Sequence, residues 1–257
     1  MNELRVISRY IRKYDCLLVD CDMSDYLIDY YLNAKEMGIK IEAEHDEQLK
    51  RYLACLAMHL TTRPAGETIA WTVHLPSEEP YTIFLTGSSS ESYLIGRVIY
   101  ENVAATNSYI LHSQVVREVG DASKSLVQGL DASTKSMVEN FYRQSEQVAV
   151  KVAFIENSDK AAMLVATPGH DEEWFEQADP AKVIGEITNF DHRVMRTAGF
   201  RFACNCSAEK LLPFFQSIDR ETLADLYQDD QVLTIDCPRC GRSFEIEKAR
   251  VFGVFDA

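Results

Sequence analysis

Along the first two-thirds of the chain, apolar positions come in short runs broken by two longer helical patterns. The segment VISRYIRKYDCLLVD is rich in β-branched and aromatic residues and predicts one or two strands. Ser24 is placed to cap the helix that follows, DYLIDYYLNAKEMG, which stops at Gly38. A second helix, from about Glu44 to Leu60, carries Leu49, Leu53, Leu56 and Leu60 at helical spacing and ends at Arg63-Pro64-Ala65-Gly66. The pattern then shortens. TIAWTVHL and YTIFLTG are alternating or apolar runs separated by the turn-like PSEEP, and SYLIGRVIYENV and SYILHSQVVREVG continue the series. A helix is expected from about Ser133 to Gln147, with Met137, Phe141 and Tyr142 at helical spacing. VAVKVAFIE and AAMLVATPG flank Asn157-Ser158-Asp159 and read as a β-hairpin. Residues 1–167 therefore predict an α+β domain with a mostly antiparallel sheet.

From Pro168 to Ala203 the pattern loses its regularity. GHDEEWFEQADPAK is polar and acidic, with a short helix expected around Trp174-Phe175, and ITNFDHRVMRTAGF has no strong period. Residues 168–203 are read as a linker. Residues 204–257 have an organisation of their own. Ser207 is placed to cap AEKLLPFFQS, which Pro213 should end or bend, and Asp219 to cap RETLADLYQ. QVLTID and RSFEIE then form a hairpin whose turn is CPRCG. No internal repeat or low-complexity tract is present.

Composition narrows the function classes. With 46% hydrophobic residues among 257, the chain has enough apolar side chains for a real core. A net charge of −14 disfavours a nucleic-acid binder, which needs a basic face, and equally an anionic membrane surface. No run approaches the roughly 18 apolar residues of a membrane span, and MNELRVISRYIRKYD has no apolar leader segment. The cysteines number seven, an odd count. A reducing cytoplasm is the expected compartment, where paired thiols point to metal or redox chemistry.

Four of those cysteines crowd into two pairs, Cys204 and Cys206 in FACNCSAEK, and Cys237 and Cys240 in TIDCPRCGRSF. CPRCG between two strands is a metal knuckle. Pro238 narrows the loop, and Gly241 can take positive φ, which turns backbone amides towards the first sulfur. Two thiolates from this turn can reach one metal at roughly 2.3 Å, and the C-x-C pair supplies the other two. Four thiolates exclude hard cations and favour a single zinc ion over an iron–sulfur cluster. Cysteines at i and i+2 face opposite ways in an extended strand, so the chain must bend there to bring both to one ion. Zinc keeps the sulfurs as thiolates, the form that peroxide and hypochlorous acid attack, and each then has a partner within reach. From spacing alone, a structural zinc knuckle without a redox role is the favoured reading.

The remaining candidates carry less. Cys16, Cys21 and Cys55 read as small buried hydrophobes. His59, His170 and His192 are scattered, and no nucleophile–histidine arrangement, P-loop or GxGxxG is present, so no enzyme is expected. GHDEEWFEQAD reads as a solvated helix face and DYLIDYYL as core and interface.

At this point the sequence resembles the Hsp33 family of redox-regulated holdase chaperones. The likeness rests on F-x-C-x-C-S at Phe202–Ser207, on the helical insert, on C-x-x-C-G followed by Phe244, and on FYRQSEQ at 141–147, which is similar to the family's Y-x-x-S-E-Q segment. The order of elements fits along nearly the whole chain. The resemblance implies an N-terminal substrate-binding α+β domain, a helical linker packed over it and a C-terminal zinc-binding redox-switch module that holds the linker folded. It implies that oxidation releases zinc and forms the disulfides Cys204–Cys206 and Cys237–Cys240. The module and linker would then unfold, unfolding client proteins would be captured, and the active form would tend to dimerise. The sequence looks like a divergent member. Pro76-Ser77-Glu78-Glu79-Pro80 replaces a Gly-rich turn, and the linker is shorter than the family's. The competing expectation is a constitutive zinc-containing protein-interaction module that has lost the switch.

Overall fold

Alternation builds the sheet. Strand β3 (Glu67–Leu75) buries every second residue, including Ile69, Trp71 and Val73, and leaves those between them half-buried. The computed structural model describes residues 2–101, 103–117, 121–215 and 218–255. They fall into two compact units, 1–203 and 204–257.

In the first unit, β1 (Leu4–Ile11) and β2 (Cys16–Asp22) are followed by helices α1 (Ser24–Glu36) and α2 (Ala43–Thr62). Then come β3, β4 (Tyr81–Ser88), β5 (Tyr93–Ile99), β6 (Ile110–Arg117) and β7 (Ser123–Gln128), the helix α3 (Thr134–Phe141), and the hairpin β8 (Val150–Phe154) and β9 (Lys160–Ala166). The unit closes with α4 (Glu172–Gln177), α5 (Pro180–Gly185) and β10 (His192–Phe202). One ten-stranded sheet results among the described residues, in the order β7-β6-β3-β4-β5-β10-β1-β2-β9-β8. All neighbours are antiparallel except β10 and β5, which meet in parallel only at Arg201 and Phe202, opposite Tyr93 and Leu94.

The C-terminal half of α2 is buried on every side, from Tyr52 through Thr61. It packs on the inner strands of the sheet, the run β3-β4-β5-β10-β1-β2-β9. Two glycines make room for it. A Cβ on Gly87 would lie 2.7 Å from Leu60 Cδ1, and one on Gly96 would lie 3.1 Å from Leu49 Cδ1 and 2.9 Å from Phe84 O. After α3, the chain takes a π-turn over Tyr142–Glu146 and ends at Gln147 with φ +57. This segment sits between the two outer strands of the sheet. Glu139 accepts from the Val152 amide on β8 (2.8 Å), while Asn140 donates to Gln128 O on β7 (2.6 Å) and Ser145 donates to Ser125 on β7 (3.0 Å). Side chains thereby occupy backbone groups that a bare edge would offer to another chain.

Several expectations need correction. Ser24 does not cap α1. The N-cap is Met23, and the Asp22 carboxylate takes the Ser24 amide instead. α6 runs two residues past Pro213 to Phe215 rather than stopping there. β7, α5, β10 and the last helix went unread. Two of the sequence runs extend into 118–120 and 216–217, which lie outside the described residues.

The segment expected to be a linker, 168–203, is folded within the first unit. Its strand β10 pairs with β1 along its length, with a bulge opposite Ser8 and Arg9. The bulge and the mixed exposure of β10 explain why no period shows in its sequence. α4 and α5 make a second core. Phe175 and Val183 cover Ile11, Cys16, Leu18, Ala162 and Leu164, and Trp174 stacks on Tyr14 at 4.0 Å and 5°. Within this segment, α4 and α5 cover one sheet face.

In the second unit, α6 (Ala208–Phe215), α7 (Arg220–Tyr227), the hairpin β11 (Val232–Asp236) and β12 (Ser243–Glu247), and α8 (Lys248–Phe255) surround a small core. That core holds Phe215, Leu223, Tyr227, Ile246 and Val251 as its buried members. Asp219 caps α7 through the Thr222 amide at 2.9 Å, as expected.

Two outcomes follow from the α2 packing. Gly96→Ala should cost about 1–3 kcal/mol through overpacking, read as a lower urea midpoint with an unchanged slope. His59, buried in α2 with Nδ1 2.7 Å from the Tyr142 hydroxyl, has its pKa pushed down to about 3 by burial. The unfolded chain takes up this proton below about pH 6.5, whereas the folded chain does not until about 3. Stability is therefore full above pH 6.5 and falls by up to about 1.4 kcal/mol per pH unit below it. His59→Gln should flatten the loss of melting temperature between pH 7 and about 5, the range where the unfolded histidine titrates.

Candidate metal centre

Each half of the cysteine quartet is shaped by local backbone. β11 and β12 pair in register up to Asp236 and Ser243, so the six residues between them, 237–242, must reverse the chain. They do so with Cys237 N donating to Arg242 O (2.8 Å), Gly241 N donating to Cys237 O (2.9 Å), and Gly241 at φ +76. The Arg239 and Cys240 amides turn towards the Cys237 sulfur. This is the knuckle geometry expected of CPRCG, and it is why glycine stands at 241. On the other half, β10 ends at Phe202 and residues 203–207 have no regular structure. The chain leaves its extended course there, as two cysteines at i and i+2 require if both are to face one point.

The two halves meet. Cys204 Sγ lies 3.7 Å from Cys237 Sγ, and Cys206 Sγ lies 3.5 Å from Cys240 Sγ. All four sulfurs fall within 4.8 Å of one another. A tetrahedral ion with sulfur ligands at about 2.3 Å would set them roughly 3.8 Å apart, so the set fits a four-thiolate metal site. It is the only group of three or more potential ligands close enough to hold an ion among the described residues. Cys237 and Cys240 are buried, and Cys204 and Cys206 are half-buried.

The thiols are electrostatically uneven without an ion. Hydrogen bonds from Cys204 and Cys240 pull the Cys237 pKa far down, helped by the two knuckle amides. The same contact with Cys237 pushes Cys204 up, and burial raises Cys206 to about 11. Four such groups cannot all ionise together unless a cation shares their charge.

The other cysteines behave as small core residues. Burial raises Cys16 and Cys21 to about 12, and raises Cys55 well above its usual value. The folded chain thus keeps these three as unreactive thiols. His170 and His192 each direct Nδ1 at a backbone carbonyl, Thr167 O and Phe190 O, both at 3.0 Å. For one residue the sequence offers only a structural expectation, a cap or a pairing, with no chemistry. Glu146, in the SEQ run, accepts from Arg63 Nη1 at 2.7 Å, and Arg63 also bonds Glu67, which Arg117 reaches at 3.0 Å. Arg63 and Glu67 are four residues apart, but Arg117 and Glu146 lie about 50 and 80 residues further on, so only the fold shows them as one network.

The family model described as Hsp33 protein matches residues 112–247, more than half of the chain. Among solved structures, the 33 kDa chaperonin (heat shock protein 33 homolog) of Thermotoga maritima is similar in fold. Its TM-score is 0.74 at 12% identity, over 99% of this chain and 98% of that one. No curated protein matches.

Cobalt(II) titration of the reduced protein should give thiolate-to-metal absorption saturating at one ion per chain. Cys237→Ser should weaken that binding by at least about tenfold. Saturation at a different ratio, or an unaffected variant, would show that the quartet is not one site.

Proposed function

The chain belongs to the Hsp33 family, whose members are chaperones and not enzymes, and from that premise we propose that it is a redox-regulated holdase for unfolding proteins. The observation that carries the reading is the convergence of four sulfurs within 4.8 Å. Cys204, Cys206, Cys237 and Cys240 are the proposed ligands of one zinc ion in the reduced protein. Zinc, when bound, would offset half of the charge of four thiolates that otherwise repel, and these ligands would tie the 203–207 turn to the β11–β12 knuckle.

The second unit depends on that tie. Its core has few buried apolar residues, so ligand binding would supply much of its folding free energy. Oxidation removes the ligands. In each pair, two thiolates give up two electrons and join as a disulfide, and hypochlorous acid takes the electrons, leaving chloride and hydroxide. We assign the pairs as Cys204–Cys206 and Cys237–Cys240, each within a short loop. Neither product can hold the ion as the four thiolates did.

Residues 168–203 are the proposed linker, and α4 and α5 its masking part. Their hold on the sheet is mostly by side chains: the Trp174–Tyr14 stack, Phe175 and Val183 in the second core, and Lys151 donating to the Glu176 and Ala178 carbonyls. Losing this cover would uncover Ile11, Leu18, Ala162 and Leu164, an apolar face of the kind that captures unfolding chains. Such an exposed face would also favour homodimers of the active form. None of the helices among the described residues is long and apolar enough to cross a membrane. The proposed compartment is the cytoplasm, where a reduced quartet persists until oxidant arrives.

The test measures zinc release and suppression of a client's aggregation together, before and after hypochlorous acid. Both should rise within minutes, whereas a constitutive interaction module would keep its zinc and change neither. Phe175→Ala should loosen the cover by about 3 kcal/mol and give partial activity while zinc is still bound. If that variant melts the cover, seen as faster exchange at 172–185, yet captures no client, the masked face is not the client surface.

A further inference from the structure

β10 is held to the first unit by more than its ladder with β1. Arg196 leaves the strand and reaches the C-terminal end of α2. Its Nη1 donates to Thr61 O at 3.2 Å and to Arg63 O at 2.6 Å, and its Nη2 donates to Ser89 Oγ at 3.1 Å. α2 ends at Thr62 with Arg63 as its C-cap, so these are carbonyls of the kind that a helix end leaves without an internal partner. They also carry the negative end of the helix dipole, where a cation is favoured. Thr61 is 3% exposed, so water is a poor substitute there. A lysine ammonium could not replace this contact, because one compact charge does not span two carbonyls and a hydroxyl as a planar guanidinium does.

The same helix end anchors other elements. Arg63 gives its carbonyl to Arg196 and its guanidinium to Glu67 on β3 and Glu146 in the π-turn, and Arg117 on β6 shares Glu67. Arg196 is thus the side chain by which the closing strand of the first unit joins a junction of β3, β6, the π-turn and α2.

We propose that Arg196 is a positioning residue that sets how readily β10 detaches from the first unit. The strand ends at Phe202, two residues before Cys204. Its grip on α2 therefore opposes the spread of unfolding from the cysteine module into the sheet. The consequence for chaperone activity rests on the holdase reading, whereas the grip itself is measured without it.

The test is hydrogen–deuterium exchange by mass spectrometry on the full reduced, zinc-loaded chain, with zinc counted in each sample. Arg196→Gln should raise exchange at 192–200 and around 57–62 by at least about tenfold, with zinc still at one per chain. Arg196→Lys, which keeps the charge, should fall between Gln and the parent. Ser89→Ala, which removes one acceptor, should give a smaller rise at the same strand. Arg63→Gln keeps the carbonyl but frees Glu146 and should loosen 142–147 instead. The role is overturned if β10 exchange is unchanged in Arg196→Gln. It is also overturned if exchange rises equally across β3–β6, or if Arg63→Gln loosens β10 as much. If β10 loosens selectively but the reduced variant captures no client, the positioning role stands and release of β10 is not what exposes the client surface.

Discussion

One helix buried on all sides organises the first unit, and most of its other features are accommodations to that burial. A helix with apolar residues around its whole circumference must be enclosed, and α2 is enclosed by the inner strands of the sheet, from β3 to β9 in sheet order. The enclosure has local costs. Two strand positions must be glycine so that Leu49 and Leu60 can approach. The one histidine on the buried turns must stay neutral. The helix's C-terminal carbonyls need donors, and these come from a distant arginine rather than from water. The sheet's outer strands are occupied by polar side chains of the α3 segment rather than by another strand.

The second unit is built on the opposite principle. Its five buried core residues surround a hairpin and three helices of eight residues each. Isolated helices of that length are marginal, and a core so small leaves little surplus against chain entropy. The sulfur quartet compensates by joining points more than thirty residues apart, 204 with 237 and 206 with 240. A self-sufficient unit thus adjoins, along the chain, one whose fold leans on four oxidisable atoms. That inequality is what the proposed redox switch requires, since oxidant would have to abolish one fold and spare the other.

The quartet was legible in the sequence because metal ligation imposes short spacings and a glycine that any knuckle must have. The same holds for the strands that alternate, such as β3, and for α2 with its leucines at helical intervals. Other parts left no such trace. β10 bears a bulge and is covered unevenly, so neither a period of two nor a continuous apolar run appears in HRVMRTAGFRF. It was read as linker although the sheet builds it in. β7 is mostly exposed and its SKSLVQ resembles a loop. α1 misled at its start because Asp22 and Ser24 both suit a cap, and the aspartate of the pair won the amide. The Arg63 network was invisible because long-range ion pairs obey geometry rather than spacing.

The closing segment of the first unit, 168–203, is held in two physically different ways, and this bears on how a disturbance at the cysteines would travel. α4 and α5 are attached by an aromatic stack, two buried side chains and one lysine, contacts that exist only while the helices remain helical. Six-residue helices lose their internal bonds readily, because so few residues share the cost of nucleation. β10 instead exchanges backbone hydrogen bonds with β1 over most of its length and adds Arg196 at the helix end. Releasing it opens a ladder in the middle of the sheet order, between β5 and β1, and strips donors from α2. Although β10 lies next to the cysteines in sequence, it is the costlier of the two to release. A cover that detaches before the strand would unmask the apolar face while the sheet carrying that face stays intact, whereas a strand that left first would dismantle the surface as it was uncovered.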